Sequence, residues 1–317
     1  MDRQPGDIVR RGSILLLAAT LLAGGCSPSR SEQPVTAGSI LPSPIRGDLG
    51  SLVHGFASAI PGPGSEGYDE PSPRERTELA TAFRELVAGD IRGAETVAAP
   101  FGYSVVRYTD TATNQPLLIL AERQGSDGRW PHAWGLYIHA PGSSSSVTVE
   151  VPHPVFDINS EIVGTVLFRA VEASNLFIAG AERNANRNGS ADVAHNGRSV
   201  FQAIHDSILE RSGIIVQPHG FEGAGSERSF GDLVVSSGSA PADPIAARVS
   251  GALERAGFKV CLYDGTRCRS LGATTNVQGI AARAAGAHFL HLEMSPRLRD
   301  SSRLISRLAD AVASVIG

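Results

Sequence analysis

The sequence predicts an α/β fold: a single domain on a mixed, mostly parallel sheet of about eight strands with helices on both faces. Three observations carry this. From residue 147 to the C-terminus, short apolar runs alternate with segments of helical period, the pattern of strands joined by helical crossovers. Ahead of them, four strand-like runs with no helix between indicate an antiparallel opening. The first 70 residues, apart from one short apolar run, are too rich in Ser, Pro and Gly to form a core of their own.

That apolar run, residues 14–23, follows Arg3, Arg10 and Arg11 and closes on Gly24 and Gly25 before Cys26. Charged, apolar and small residues in this order read as a secretory signal over residues 1–25. The run is shorter than the ~20 apolar residues a permanent membrane helix needs. Cys26 stands where a lipoprotein signal peptidase would leave it as a lipid-bearing N-terminus, and Arg10-Arg11 is compatible with twin-Arg export. The expected location is the extracytoplasmic face of the cell membrane. Residues 26–70 read as a lipid-tethered flexible linker, with a short helix near 49–59. Residues 71–317 form the folded body, large enough for a core of catalytic size.

The body opens with a helix over 73–88, where Leu79, Phe83, Leu86 and Val87 repeat at helical spacing behind Ser72 as a cap. Strands follow at 103–108, 116–122, 133–139 and 146–151, the last two joined by Pro141-Gly142-Ser143 as a hairpin. Helices are then expected at 160–173, 198–212, 244–256, 279–285 and 301–315. Strands alternate with them at 176–179, 213–217, 233–236, 259–263 and 288–294. Net charge is -4 with both signs interspersed, so no basic face argues for nucleic acid. Cys261 and Cys268 bracket a turn, and in an oxidising compartment such a pair reads as a disulfide.

In open α/β sheets, ligands bind beyond the C-terminal ends of the strands. Three strand ends here carry chemistry. One runs into Pro152-His153-Pro154, with Asp157 in the following loop and Glu161 at the next helix start. Another runs into Pro218-His219-Gly220. The last contains Glu293, an acid in an apolar run, where an ionised carboxylate is costly unless paired or used. Two His and one carboxylate are the ligand set of a catalytic zinc that keeps a fourth position for water. Glu293 is the candidate general base. His291 shares its strand face and can support the site from behind. No Gly-x-Ser-x-Gly elbow appears, which disfavours a serine hydrolase.

The segments Val151-Pro152-His153-Pro154, Gln217-Pro218-His219-Gly220-Phe221 and His291-Leu292-Glu293-Met294-Ser295-Pro296-Arg297, in this order, resemble the zinc carboxypeptidase superfamily. The resemblance is nearest to the N-formylglutamate amidohydrolases and phage-type poly-γ-glutamate hydrolases. It implies a phosphorylase/hydrolase-like fold and hydrolysis of amide bonds with one zinc ion, His153 and His219 as ligands and Glu293 as base. The second ligand departs from the pattern, which places an acid three to five residues after the first His. Glu161 opens the helix, where the comparable ligand usually sits, and is taken as the ligand; Asp157, four residues on, is the alternative.

A guanidinium can hold a substrate carboxylate bidentately or stabilise an oxyanion. Arg183 is the first candidate and Arg297 the second, while Asn276 lies in a polar loop before a helix and could contact an anion. A small molecule, peptide or polyamide is the expected substrate, and the N-terminal lipid the contact with the membrane. From another class, a non-catalytic surface-binding lipoprotein that retains the fold would show the same organisation. Thiol titration of the mature, denatured protein is expected to find no free thiol; two per chain would overturn the Cys261–Cys268 pairing.

Overall fold

Residues 117–120 show how the two faces of the sheet are encoded: Leu117 and Ile119 are buried on one face, Leu118 and Leu120 on the other. The same alternation recurs at Ile215/Val216 and Phe289/Leu290. In the computed structural model, which describes residues 44–222 and 230–317, ten strands form one sheet. They are β1 (Ile45–Gly47), β2 (Tyr103–Asp110), β3 (Pro116–Glu122), β4 (Leu136–His139), β5 (Val147–Val151), β6 (Asn175–Ile178), β7 (Ile214–Gly220), β8 (Leu233–Ser236), β9 (Val260–Leu262) and β10 (His288–Met294).

Their order is β1-β2-β3-β4-β6-β5-β7-β10-β8-β9. The pairs β2/β3, β3/β4, β4/β6 and β10/β8 are antiparallel and the other five parallel. The sheet is thus mixed and mostly parallel as expected, with ten strands rather than about eight.

One face is covered by α1 (Leu49–Ala57), α4 (Ser160–Ala170), α6 (Pro244–Arg255) and α9 (Ser302–Ile316). The other is covered by α2 (Pro73–Val87), α3 (Ile91–Ala98), α5 (Val200–Ile208) and α7 (Val277–Ala284). A one-turn α8 (Pro296–Arg299) follows β10. Ser72 caps α2 in a reciprocal capping box with Glu75. Where α4 crosses β5, a Cβ on Gly164 would stand 2.4 Å from Val151 Cγ2, so only Gly permits this approach.

Two expectations are corrected. The hairpin at Pro141-Gly142-Ser143 does not form, because β6 lies between β4 and β5. The β5–α4–β6 crossover sets β6 parallel to β5, and β4 pairs with the free edge of β6. A strand buried along its whole length, as β5 is, needs neighbours on both edges, and it takes β6 and β7.

The second correction concerns the flexible linker expected over 26–70. Its part from residue 44 belongs to the folded body: β1 pairs with β2, and Leu49, Val53, Phe56 and Tyr68 are buried. Asp48, the N-cap of α1, and Asp110 both bind Arg169 of α4, at 2.7 Å each. Composition misled here because a few well-spaced apolar residues suffice when an existing core receives them. The signal segment and Cys26 lie outside the described residues. Among the described residues no helix is long and apolar enough to cross a membrane.

A protein beginning at residue 71 is expected to lose on the order of 5 kcal/mol or more in urea denaturation relative to one beginning at residue 44, from the apolar side chains of α1 and Tyr68 alone. Equal stability would return residues 44–70 to the role of linker.

Candidate metal centre

Parallel pairing brings the predicted strand ends together. In the register of β10 on β7, Glu293 lies beside His219 and His291 beside Gln217. Pairing of β5 with β7 ends at Val149/Val216, so Pro218 lies past the last β5 partner, where its missing N–H disturbs no ladder bond to that strand.

His153 and Asp157 are joined by a single turn, closed by a bond from Asp157 N–H to the His153 carbonyl at 3.1 Å. Within it Val155 has φ +72°, a conformation costing a β-branched residue on the order of 1–3 kcal/mol. The loop is held from below by Arg299, which is buried and donates to the carbonyls of Ile158, Phe221 (3.3 Å) and Met294 (3.2 Å). One guanidinium therefore ties the His153–Asp157 loop to the ends of β7 and β10. Gly220 makes room for it, since a Cβ there would stand 2.4 Å from Arg299 Nε.

Three atoms able to ligate a metal converge. Asp157 Oδ2 lies 2.9 Å from His219 Nδ1 and 3.4 Å from His153 Nδ1. All three residues are buried. The far nitrogens of both rings face acceptors: His153 Nε2 is 2.8 Å from Asp192 Oδ1, and His219 Nε2 is 3.3 Å from Gln217 Oε1. Arg183, which can only donate, approaches His153 Nδ1 at 3.5 Å and pairs with Asp192. Two imidazole nitrogens and a carboxylate oxygen facing one another, with outer nitrogens hydrogen-bonded, are the donor set of a divalent metal and fit zinc chemistry.

The electrostatics agree. Burial pushes the Asp157 carboxyl up, but hydrogen bonds with His153 and His219 hold it well below its usual range. Burial lowers His219, opposed by its bond to Asp157. His153 is raised against its burial by Asp157 and Asp192. The His291 ring lies tilted against that of His219, with centroids 4.4 Å apart, and is kept neutral by burial and by that neighbouring ring. Glu293 is pushed up to about 8 by burial and then by Asp157. Among the described residues its Oε2 has no hydrogen-bond partner, and its carboxylate lies within 4.8 Å of the ligand atoms of His219 and His291.

These groups line a cavity of about 300 Å³ together with Arg183, Arg269 and Thr274. His153, Asp157, His219, Arg183 and Glu293 are brought together; three expectations are corrected. Glu161 points away to His54 Nδ1 at 3.1 Å and lines a different cavity, so Asp157 is the acid of the centre. The acid comes from the turn before α4, because the first turn of that helix faces α1. Arg297 is exposed, 3.7 Å from Asp232, and does not line the site cavity. Asn276 reaches the cavity wall, but its amide is engaged within the protein: Oδ1 accepts from Gly279 N–H and Nδ2 donates to Gln217.

Sequence reasoning did not assign Asp192, Gln217 or Arg299. Gln217 and its neighbour Glu150 carry the signal used for Glu293, a polar residue in an apolar strand. Arg299 carries none, because its partners are three backbone carbonyls and Glu222, all but the Met294 carbonyl from segments distant in sequence. Cys261 and Cys268 are joined, with Cα atoms 6.4 Å apart, and Arg269 follows directly.

No protein-family model matches the chain, and no curated protein does. Solved structures similar to it include a gene product of Agrobacterium tumefaciens, at 13% identity over 55% of this chain and 90% of that one, TM-score 0.42. A bacteriophage poly-gamma-glutamate hydrolase matches at 13% identity over 55% and 84%, TM-score 0.38. A metallo-carboxypeptidase from Burkholderia cenocepacia matches at 15% over 70% and 68%, TM-score 0.35. At these identities and scores the chemistry has to be argued from the site itself.

Glu293 supplies a pH test. Its ordinary value is 4.5 and its folded value about 8, so between them the folded state keeps a proton that the unfolded chain releases. Stability of the metal-free protein is therefore expected to fall as pH rises through that window. Glu293→Gln should raise the melting temperature in chelator by several degrees at pH 8 and change it little at pH 4.5. An equal shift at both values would contradict the assignment.

Proposed function

We propose that this protein is an extracytoplasmic, zinc-dependent hydrolase of amide bonds, tethered to the cell membrane by a lipid on Cys26. The observation that carries the chemistry is the convergence of His153 Nδ1, Asp157 Oδ2 and His219 Nδ1 beside Glu293. A zinc ion held by those three residues would acidify a water toward a pKa of about 7 and polarise the amide carbonyl.

The protein's own groups do the rest. Glu293, whose Oε2 has no partner among the described residues, takes the proton of the attacking water and returns it to the leaving nitrogen. Arg183, held by Asp192 and lying 5.0 Å over the Phe156 ring, faces the cavity and orients a carbonyl or carboxylate of the substrate. Substrate classes follow from the sequence resemblance: a peptide, a γ-glutamyl polymer or an N-acyl amino acid. The signal order at residues 1–26 supports action outside the cytoplasm, and the mixed charge along the chain offers no argument for a nucleic-acid partner.

Metal analysis of the purified protein is expected to find one zinc per chain, lost in His153→Ala and His219→Ala. With γ-glutamyl, N-formyl and wall-peptide amides as substrates, Glu293→Gln should retain zinc and lose at least about 100-fold in turnover. Folded protein without zinc would sink this reading. Zinc with no turnover on any of the three classes would favour a surface-binding lipoprotein.

A further inference from the structure

Beneath the metal centre runs a buried polar chain that, among the described residues, hydrogen-bonds to a candidate metal ligand at one point. Glu150, fully buried in β5, lies 2.7 Å from His205 Nδ1 of α5 through one oxygen. Its other oxygen accepts from Gln217 Nε2 at 2.8 Å. Gln217 Nε2 also faces Gln278 Oε1 at 3.3 Å, and Gln217 Oε1 accepts from Asn276 Nδ2 at 2.8 Å. The point of contact is His219 Nε2, 3.3 Å from Gln217 Oε1.

The direction of every amide in this chain is set from its ends. Gly279 N–H can only donate, so it takes Asn276 Oδ1 at 2.8 Å and turns Asn276 Nδ2 toward Gln217. The Val193 carbonyl can only accept, so it takes Gln278 Nε2 at 2.8 Å and turns Gln278 Oε1 toward Gln217. A carboxylate, a carbonyl-directed amide and a backbone-directed amide thus agree that Gln217 presents Nε2 to Glu150 and Oε1 to His219. Amide orientation is ordinarily a matter of choice; here reversing Gln217 would set like groups against one another at three contacts.

We infer that Gln217 is a positioning residue for the metal centre: a pre-set acceptor that stabilises His219 in the form with hydrogen on Nε2 and a free lone pair on Nδ1. His219 Nδ1 faces Asp157 at 2.9 Å, where either a proton or a cation can sit between them. When the cation takes that place, the ring's remaining hydrogen must be on Nε2 and needs an acceptor inside a buried wall. Gln217 Oε1 is there in advance, polarised by the Glu150 carboxylate through the amide. An acceptor behind a ligating imidazole raises its basicity and fixes its ring, commonly worth 10–100-fold in metal affinity. The inference rests on the metal-site reading above and adds the group that makes His219 a competent ligand.

The test is zinc affinity of the full chain, measured by chelator competition. Gln217→Met, close in volume and without hydrogen-bonding atoms, is expected to bind zinc about 10–100-fold more weakly. The exchange variant Glu150→Gln/Gln217→Glu keeps an acceptor facing His219 and a donor–acceptor contact between residues 150 and 217, loses the donor to Gln278 Oε1, and should bind zinc within about tenfold of the wild type. Gln202→Met is the control: Gln202 belongs to the same buried network through Gln278 at 2.9 Å but does not touch Gln217. It should lose stability and keep zinc affinity within about threefold. In the zinc-loaded wild type, the His219 Nε2 proton should appear as a slowly exchanging imidazole N–H, absent in Gln217→Met.

Zinc affinity of Gln217→Met within about threefold of wild type would overturn the inference, as would an equal loss in Gln202→Met. Should Gln217→Met not fold, a folded exchange variant that binds zinc more than about tenfold more weakly overturns it by itself. A wild type that binds no zinc defeats the metal-site reading and this inference together; a zinc-binding wild type with an indifferent Gln217→Met defeats only the latter.

Discussion

Asp157 Oδ2 is the atom around which the rest of this structure is organised. It sits among two imidazole nitrogens in a water-poor wall, and a carboxylate so placed is tolerable only with partners. The local backbone accepts a left-handed Val155 to bring it there. Arg299 fastens the same loop to the ends of β7 and β10 through three backbone carbonyls and also pairs with Glu222. The centre is therefore pre-shaped for a cation by the scaffold.

A second constraint lies one layer down. A sheet whose central strands carry Glu150 and Gln217 must supply hydrogen-bond partners for both of these buried side chains. It does so with a chain of amides whose polarity is set at backbone groups on α7 and in the loop before α5. The arrangement couples core packing to ligand chemistry. A substitution in the core can thus alter metal binding without touching a ligand, whereas distant surface substitutions should not.

The legibility of the sequence varied with the range of the physics involved. Strand ends at His153 and His219 and the acid at Glu293 could be placed because period and polarity are local signals. The choice between Asp157 and Glu161 could not, since both lie close after His153 and only the direction of the first turn of α4 separates them. Arg297 and Arg299 are two residues apart with the same chemistry; one is exposed beside Asp232 and the other is buried beneath the site. The linker reading of residues 44–70 failed for a related reason. Composition counts apolar residues, but Leu49, Val53 and Phe56 matter through the core that receives them.

By itself, then, the sequence determined the α/β alternation, the two-faced burial of the strands and the types of residue at their ends, since all of these follow from periods of two and 3.6 along the chain. It also holds the export-like order of residues 1–26, read from composition alone. Only the tertiary structure decided that β6 inserts between β4 and β5, that Asp157 and not Glu161 joins the two histidines, and that Asn276 supports Gln217 from within the wall. Those outcomes depend on which elements become neighbours across dozens of residues, and a hydrogen bond or a ligand triangle exists only once that neighbourhood does.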